Sequence, residues 1–79
     1  MNARQQIRGF ISSTFFVDDF RDGDSFLKAG IIDSTGMMEL VAFIEQTFSV
    51  KVDDSELVPE NLDSLDNLCS FLERKKRAA

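Results

Sequence analysis

The 79-residue chain has no histidine, tryptophan or tyrosine, and only one cysteine and one proline. Without histidine there is no Ser-His nucleophile, no imidazole proton shuttle and no histidine metal ligand. A single thiol cannot close an internal disulfide. Cys69 falls at the apolar spacing of the last helical stretch, so packing is its expected role. No run approaches the roughly 20 apolar residues that a membrane span requires. The opening MNARQQIRGF also lacks the apolar stretch of a secretory signal, so a cytoplasmic protein is expected. Glycine is sparse as well, at four residues, and no repeat or low-complexity segment interrupts the sequence.

What is present is apolar and acidic. Eight Phe stand with the Ile, Leu, Val, Ala, Met and Cys in a hydrophobic fraction of 43%, enough for one small domain over residues 1–79. Residues 1–32 hold four acids and four bases. Residues 33–66 hold nine acids against Lys51, a charge of −8. Residues 67–79 return +3, giving the total of −5. Such a field repels phosphate backbones, so nucleic-acid binding is not expected, and it steers partners that present basic patches. The terminal RKKR suits the negative end of a helix dipole.

Periodicity predicts an all-α fold, a small four-helix bundle of three longer helices and one short one, with a long loop between the first and second. Ile7, Phe10, Ile11 and Thr14 share one face of a helix over residues 3–15. From Val17 to Asp33 the pattern breaks into a connection anchored by Phe20, Phe26, Leu27, Ile31 and Ile32; loops this long usually have a function. A second helix is expected over residues 34–48, with Met37, Leu40, Val41, Ile44 and Phe48 inward. Residues 49–54 read as a connection, since a lone strand has no partner. Pro59 suits the first position of a short turn, PENL. Asp63 is the expected cap of a final helix carrying Leu65, Leu68, Cys69 and Leu72.

The loop acids do not make a calcium site. Setting Gly23 at the glycine of an EF-hand loop puts Asp18 first and Asp22 fifth, but leaves Phe20 third and Ala29 twelfth, where oxygen ligands are required. No spacing singles out a catalytic carboxylate pair, and no metal site or enzymatic activity is expected. Attention falls on Ser34, at the head of a helix that is apolar on more than one face, because Met38, Ala42 and Phe43 accompany the inward stripe. Read alone, Asp33 and Ser34 are both residues that favour helix caps, and the acidic helical surface could be a plain interaction module for a basic partner.

DSTGMMEL, the anchored loop before it and VKVDDSELVPENLDSL after it together resemble the acyl carrier protein family. The resemblance implies a four-helix bundle in which Ser34 receives 4′-phosphopantetheine from coenzyme A through a phosphopantetheinyl transferase. The loaded chain would then carry acyl intermediates to partner enzymes, as a non-catalytic, monomeric carrier in lipid or specialised-metabolite biosynthesis. It also implies a docking surface around Asp33, formed by Thr35, Met38, Glu39, Ala42 and Glu45. Thr35 and Gly36 stand where this family commonly has leucine and frequently an acid. That difference suggests a carrier dedicated to a specialised pathway and loaded by an acyl- or aminoacyl-adenylating ligase; an aminoacyl or peptidyl carrier is the alternative. Physical chemistry agrees with a phosphodiester at Ser34, since a helix N-terminus favours an anion by roughly 0.3–1 kcal/mol when exposed.

Overall fold

A computed structural model describes the backbone of residues 2–78 and the side chains of residues 2–76. Its elements are α1 (Ala3–Phe15), α2 (Ser34–Phe48), a single 3₁₀ turn (Asp54–Glu56), α3 (Pro59–Leu62) and α4 (Leu65–Ala78). No strand occurs among the described residues. The fold is all-helical, a small bundle with a long loop after the first helix, as the periodicity predicts; residues 49–53 are a connection, as the lack of a partner strand implies, and Asp54 already opens the 3₁₀ turn.

Helix α1 starts where Asn2 accepts a hydrogen bond from the Gln5 N–H at 2.8 Å, satisfying one of the donors that a helix start leaves without a partner. Its buried face is Ile7 and Ile11. It stops at Phe16, which turns left-handed at φ 58°, ψ 42°. Glycine normally holds that position; a bulky side chain there costs of order 1 kcal/mol or more. Helix α3 begins with Pro59 at its first turn, where the missing N–H costs nothing. The start of α4 departs from expectation. Ser64, not Asp63, caps it, its hydroxyl accepting from the Asn67 N–H at 3.0 Å. Asp63 instead closes α3, and its carboxylate is engaged by the long loop.

The core gathers Ile7 and Ile11 of α1, Leu40, Val41 and Ile44 of α2, and Leu65, Leu68, Phe71 and Leu72 of α4. Each such side chain, fully buried, contributes roughly 1.5–3 kcal/mol. The long loop is built into this core. Phe20, Phe26 and Ile32 are buried, and the rings of Phe20 and Phe26 meet edge to face at 6.0 Å. The loop is also hydrogen-bonded in place. Phe26 N–H donates to the Asp63 carbonyl at 2.8 Å, Leu27 N–H to the Asp63 carboxylate at 3.0 Å, and the Ser25 hydroxyl to that same carboxylate.

Charge pairs brace the loop from the other side. Arg4 donates to Asp22 at 2.6 Å and to Asp66 at 2.7 Å, tying α1 to the loop and to α4. Arg8 donates to Asp22 and to the Phe20 carbonyl, the latter at 2.9 Å, and lies over the Phe20 ring at 4.2 Å. The Arg8 hydrogen bond, seconded by Arg4, holds the Asp22 carboxyl below the usual carboxylate range. Asp66 and Asp22, by accepting its hydrogen bonds, in turn raise the pKa of the Arg4 guanidinium. Lys75, from the basic C-terminal run, pairs with Glu56 at 3.0 Å, and Arg74 donates to Asn61 at 2.7 Å.

Candidate functional site

The site is the first turn of α2 and the surfaces beside it. Asp33 holds an extended backbone, φ −91°, ψ −177°, and its carboxylate accepts the Gly36 N–H at 2.7 Å. Its carbonyl accepts the Met37 N–H at 2.9 Å. Asp33 is therefore the N-cap and Ser34 the first helical residue, which settles the choice between the two polar residues. The Ser34 hydroxyl is not needed to cap the helix. It stands exposed on a turn whose leading N–H groups have no intrahelical acceptor, at the positive end of a 15-residue helix.

Gly36 explains itself by packing. A Cβ there would lie 2.7 Å from the Phe15 ring, 3.1 Å from Ile32 and 3.2 Å from the Asp33 carboxylate. The residue is buried, so the end of α1 presses on the first turn of α2 and leaves no room for a methyl group. The glycine reflects the close approach of α1 to this turn.

Two depressions flank Ser34. On one side a cleft of about 200 Å³ is lined by Leu27 of the loop, Ser34, Met37 and Met38 of α2, and the segment from Leu57 to Pro59 with Leu62 and Asp63. It is largely apolar and open to solvent. On the other side, Thr35, Glu39 and Asp33 border a more polar hollow closed by Phe15, Gly30 and Ile31. Of the residues named from sequence, Asp33, Thr35, Met38, Glu39 and Ala42 are all exposed along this face. Glu45 is placed differently: it is half-buried, and its carboxylate accepts the Val52 N–H at 2.9 Å, pinning the connection after α2.

Sequence pattern alone did not reveal the walls of the cleft. Leu27, Leu57 and Val58 come from irregular segments whose side-chain directions follow no period. Met37 and Leu62 line it with them, Leu40 and Ile44 are fully enclosed in the core, and Ile31 belongs to the other hollow. The latch at Asp63, which sets Leu27 opposite α3, was equally hidden, because an acid between a leucine and a serine reads first as a cap. Cys69 is remote from all this. It is partly buried against the core, and burial pushes its thiol pKa up, which makes it a poor nucleophile.

This arrangement offers an exposed, uncapped hydroxyl at a helix N-terminus, a neighbouring apolar trough and an acidic rim. The hydroxyl suits a covalent phosphate, and the trough suits an apolar group; neither makes a catalytic centre. Comparisons with known proteins show the family. The family described as "Phosphopantetheine attachment site" matches residues 5–72. The chain is 36% identical over 62 residues to a D-alanyl carrier protein of Streptococcus equi subsp. zooepidemicus, covering 78% of this chain and 77% of that protein. It is 32% identical, with the same coverage, to D-alanyl carrier proteins of Streptococcus uberis and Streptococcus pyogenes serotype M1.

Proposed function

The chain belongs to the phosphopantetheine-attachment family of non-catalytic carrier proteins, and from that premise we propose that Ser34 is the residue bearing the 4′-phosphopantetheine group. The single observation that carries this reading is the division of labour at the head of α2. Asp33 caps the helix, leaving the Ser34 hydroxyl exposed beside an apolar cleft. When bound, the group supplies a terminal thiol on which a carboxylic cargo is held as a thioester. The residues of this chain do the rest. The Gly36 N–H is taken by Asp33, so the N–H groups of Ser34 and Thr35 are those of the first turn that would be open to the phosphate, the helix dipole would favour its charge, and Met37, Met38 and Leu27 offer an apolar wall.

As to cargo, an acyl intermediate of lipid or specialised-metabolite synthesis suits the apolar trough. The aminoacyl alternative has its own support, because the relatives are named as D-alanyl carriers. In either case an adenylating ligase would load the carrier, which would act as a cytoplasmic monomer. Intact-mass measurement after incubation with coenzyme A and a broad-specificity phosphopantetheinyl transferase tests the attachment. The wild type gains the group and Ser34→Ala does not; an unmodified wild-type mass sinks the assignment. Offering the modified protein radiolabelled acyl and amino acids, each with an adenylating enzyme, separates the two cargoes.

A further inference from the structure

Asp63 does not cap α4 and is in none of the ion pairs among the described residues, yet each of its polar groups has a partner. Its N–H donates to the Pro59 carbonyl at 2.9 Å, and its carbonyl accepts the Phe26 N–H at 2.8 Å. Its carboxylate accepts the Leu27 N–H at 3.0 Å on one oxygen and the Ser25 hydroxyl on the other. Ser25 in turn accepts the Lys28 N–H at 3.1 Å. Three consecutive loop residues are thus fastened to one residue that lies 36 to 38 positions further along the chain.

What the carboxylate holds is Leu27 rather than the fold. Phe26 is fully buried, and its carbonyl accepts from the N–H of Ile31 at 2.9 Å and of Ile32 at 3.2 Å, so the loop stays anchored in the core without Asp63. Leu27 has no such anchor. It is 46% exposed and borders the cleft beside Ser34, with Met37, Met38 and Asp63 itself among the other lining residues. A half-exposed leucine gains little from burial there. Its position is set by the polar contacts of its own N–H and of Ser25 with the Asp63 carboxylate. The cleft it borders has a volume of about 200 Å³. An apolar cavity of about 150 Å³ accommodates benzene, so in proportion this cleft takes a group of about eight carbons.

We propose that Asp63 is a positioning residue that sets the size limit of this cleft. Acting through Leu27, its carboxylate keeps the rim closed to apolar groups longer than about eight carbons. The cargo comes from the reading of Ser34 as the attachment residue, and the inference rests on that reading for the cargo alone. A short acyl chain or an aminoacyl group then finds shelter beside Ser34, and the excess of a longer chain stays in solvent.

The test loads the protein from butyryl-, octanoyl- and dodecanoyl-coenzyme A with a broad-specificity phosphopantetheinyl transferase, then compares melting temperatures and the methyl NMR shifts of Leu27 and Met38. In the wild type the gain in melting temperature rises from butyryl to octanoyl and is level at dodecanoyl. In Asp63→Ala the dodecanoyl form should melt at least about 4 °C above the octanoyl form, since each further buried CH₂ adds stability. Asp63→Asn should keep the wild-type limit, because an amide accepts from the Leu27 N–H and donates to Ser25. Leu27→Ala should raise the limit as Asp63→Ala does, and the double variant should raise it no further. An unchanged limit in Asp63→Ala, or additive shifts in the double variant, overturns the proposal. So does loss of the gain at every chain length, which makes Asp63 a builder of the cleft and not its limit. Unchanged masses with all three donors refute attachment at Ser34 instead. The size limit is then read on the unmodified protein with free 1-octanol and 1-decanol, followed by the same methyl signals. The two alcohols should bind the wild type equally and Asp63→Ala should favour 1-decanol about tenfold; equal binding in the variant, or none, overturns the proposal.

Discussion

Two groups of acids in this protein behave oppositely. Around α1, the loop and α4, Asp22 and Asp66 are gripped by Arg4 and Arg8, and Glu56 is held by the Asp53 N–H and Lys75. At the head of α2 and in the loop just after Phe16, Asp18, Asp19, Asp33 and Glu39 face solvent outside any of these pairs. The first region uses charge to fix where the long loop lies. The second leaves charge available to a partner, where it steers encounter at little cost to the fold. Net charge alone hides this difference, since both regions are counted in the same −5.

The largest effect should come from Ser34→Ala, which would break the comparison if it disturbed both regions. Attachment is expected to vanish completely, while thermal unfolding shifts by no more than about 2–4 °C, because an exposed residue that caps nothing contributes within about 0.5 kcal/mol. Gly36→Ala comes next. It forces a methyl group against Phe15 and should destabilise by about 1–3 kcal/mol in denaturant titration. Adding Phe15→Leu should restore part of that loss, and an additive pair would mean that the two residues do not meet. Asp33→Ala removes the α2 cap and should cost about 0.5–2 kcal/mol, with Asp33→Ser recovering most of it.

The smallest effect, and the one that sharpens the contrast, is the response to acid. The carboxyls of Asp22 and Glu56 titrate below their usual range in the folded protein. For Asp22 the first cause is the hydrogen bond from Arg8; for Glu56 it is the backbone N–H of Asp53, followed by Lys75. A carboxyl depressed in the folded state stabilises it above the unfolded value, about 4, and that contribution fades as pH falls through the lower folded value. Melting temperature should therefore hold from neutral pH to about 5 and drop below about 4. Asp22→Asn should lower the neutral-pH value and shallow the acid decline.

Much of the fold was legible because it is encoded locally. The apolar period of Ile7, Phe10 and Ile11 marks α1 to its observed bounds, and Pro59 marks the start of α3. Ser34 was legible for a different reason: DSTGMMEL and the stretches around it carry a family resemblance that periodicity does not. Where two neighbouring polar residues compete for one cap, the sequence offers both. Asp33 prevailed over Ser34 at α2, and Ser64 over Asp63 at α4. The second outcome was misread because Asp63 is drawn away by Ser25 and Leu27, partners 38 and 36 residues distant. Glu45 is placed by a distant partner too: on the helix it aligns with the exposed Thr35, Met38 and Ala42, and its carboxylate accepts the Val52 N–H.

Helix spans, the serine at a helix head and the acid-rich middle are properties of the chain itself, since hydrogen bonds reaching three or four residues and charges counted along a line need no third dimension. The tertiary structure alone decided which acids are spent on arginines and which remain free, why residue 36 has to be glycine, and which irregular segments wall the cleft beside Ser34. Those outcomes depend on groups far apart in the chain coming within a few ångströms of each other, and no pattern of neighbours along the sequence records that distance.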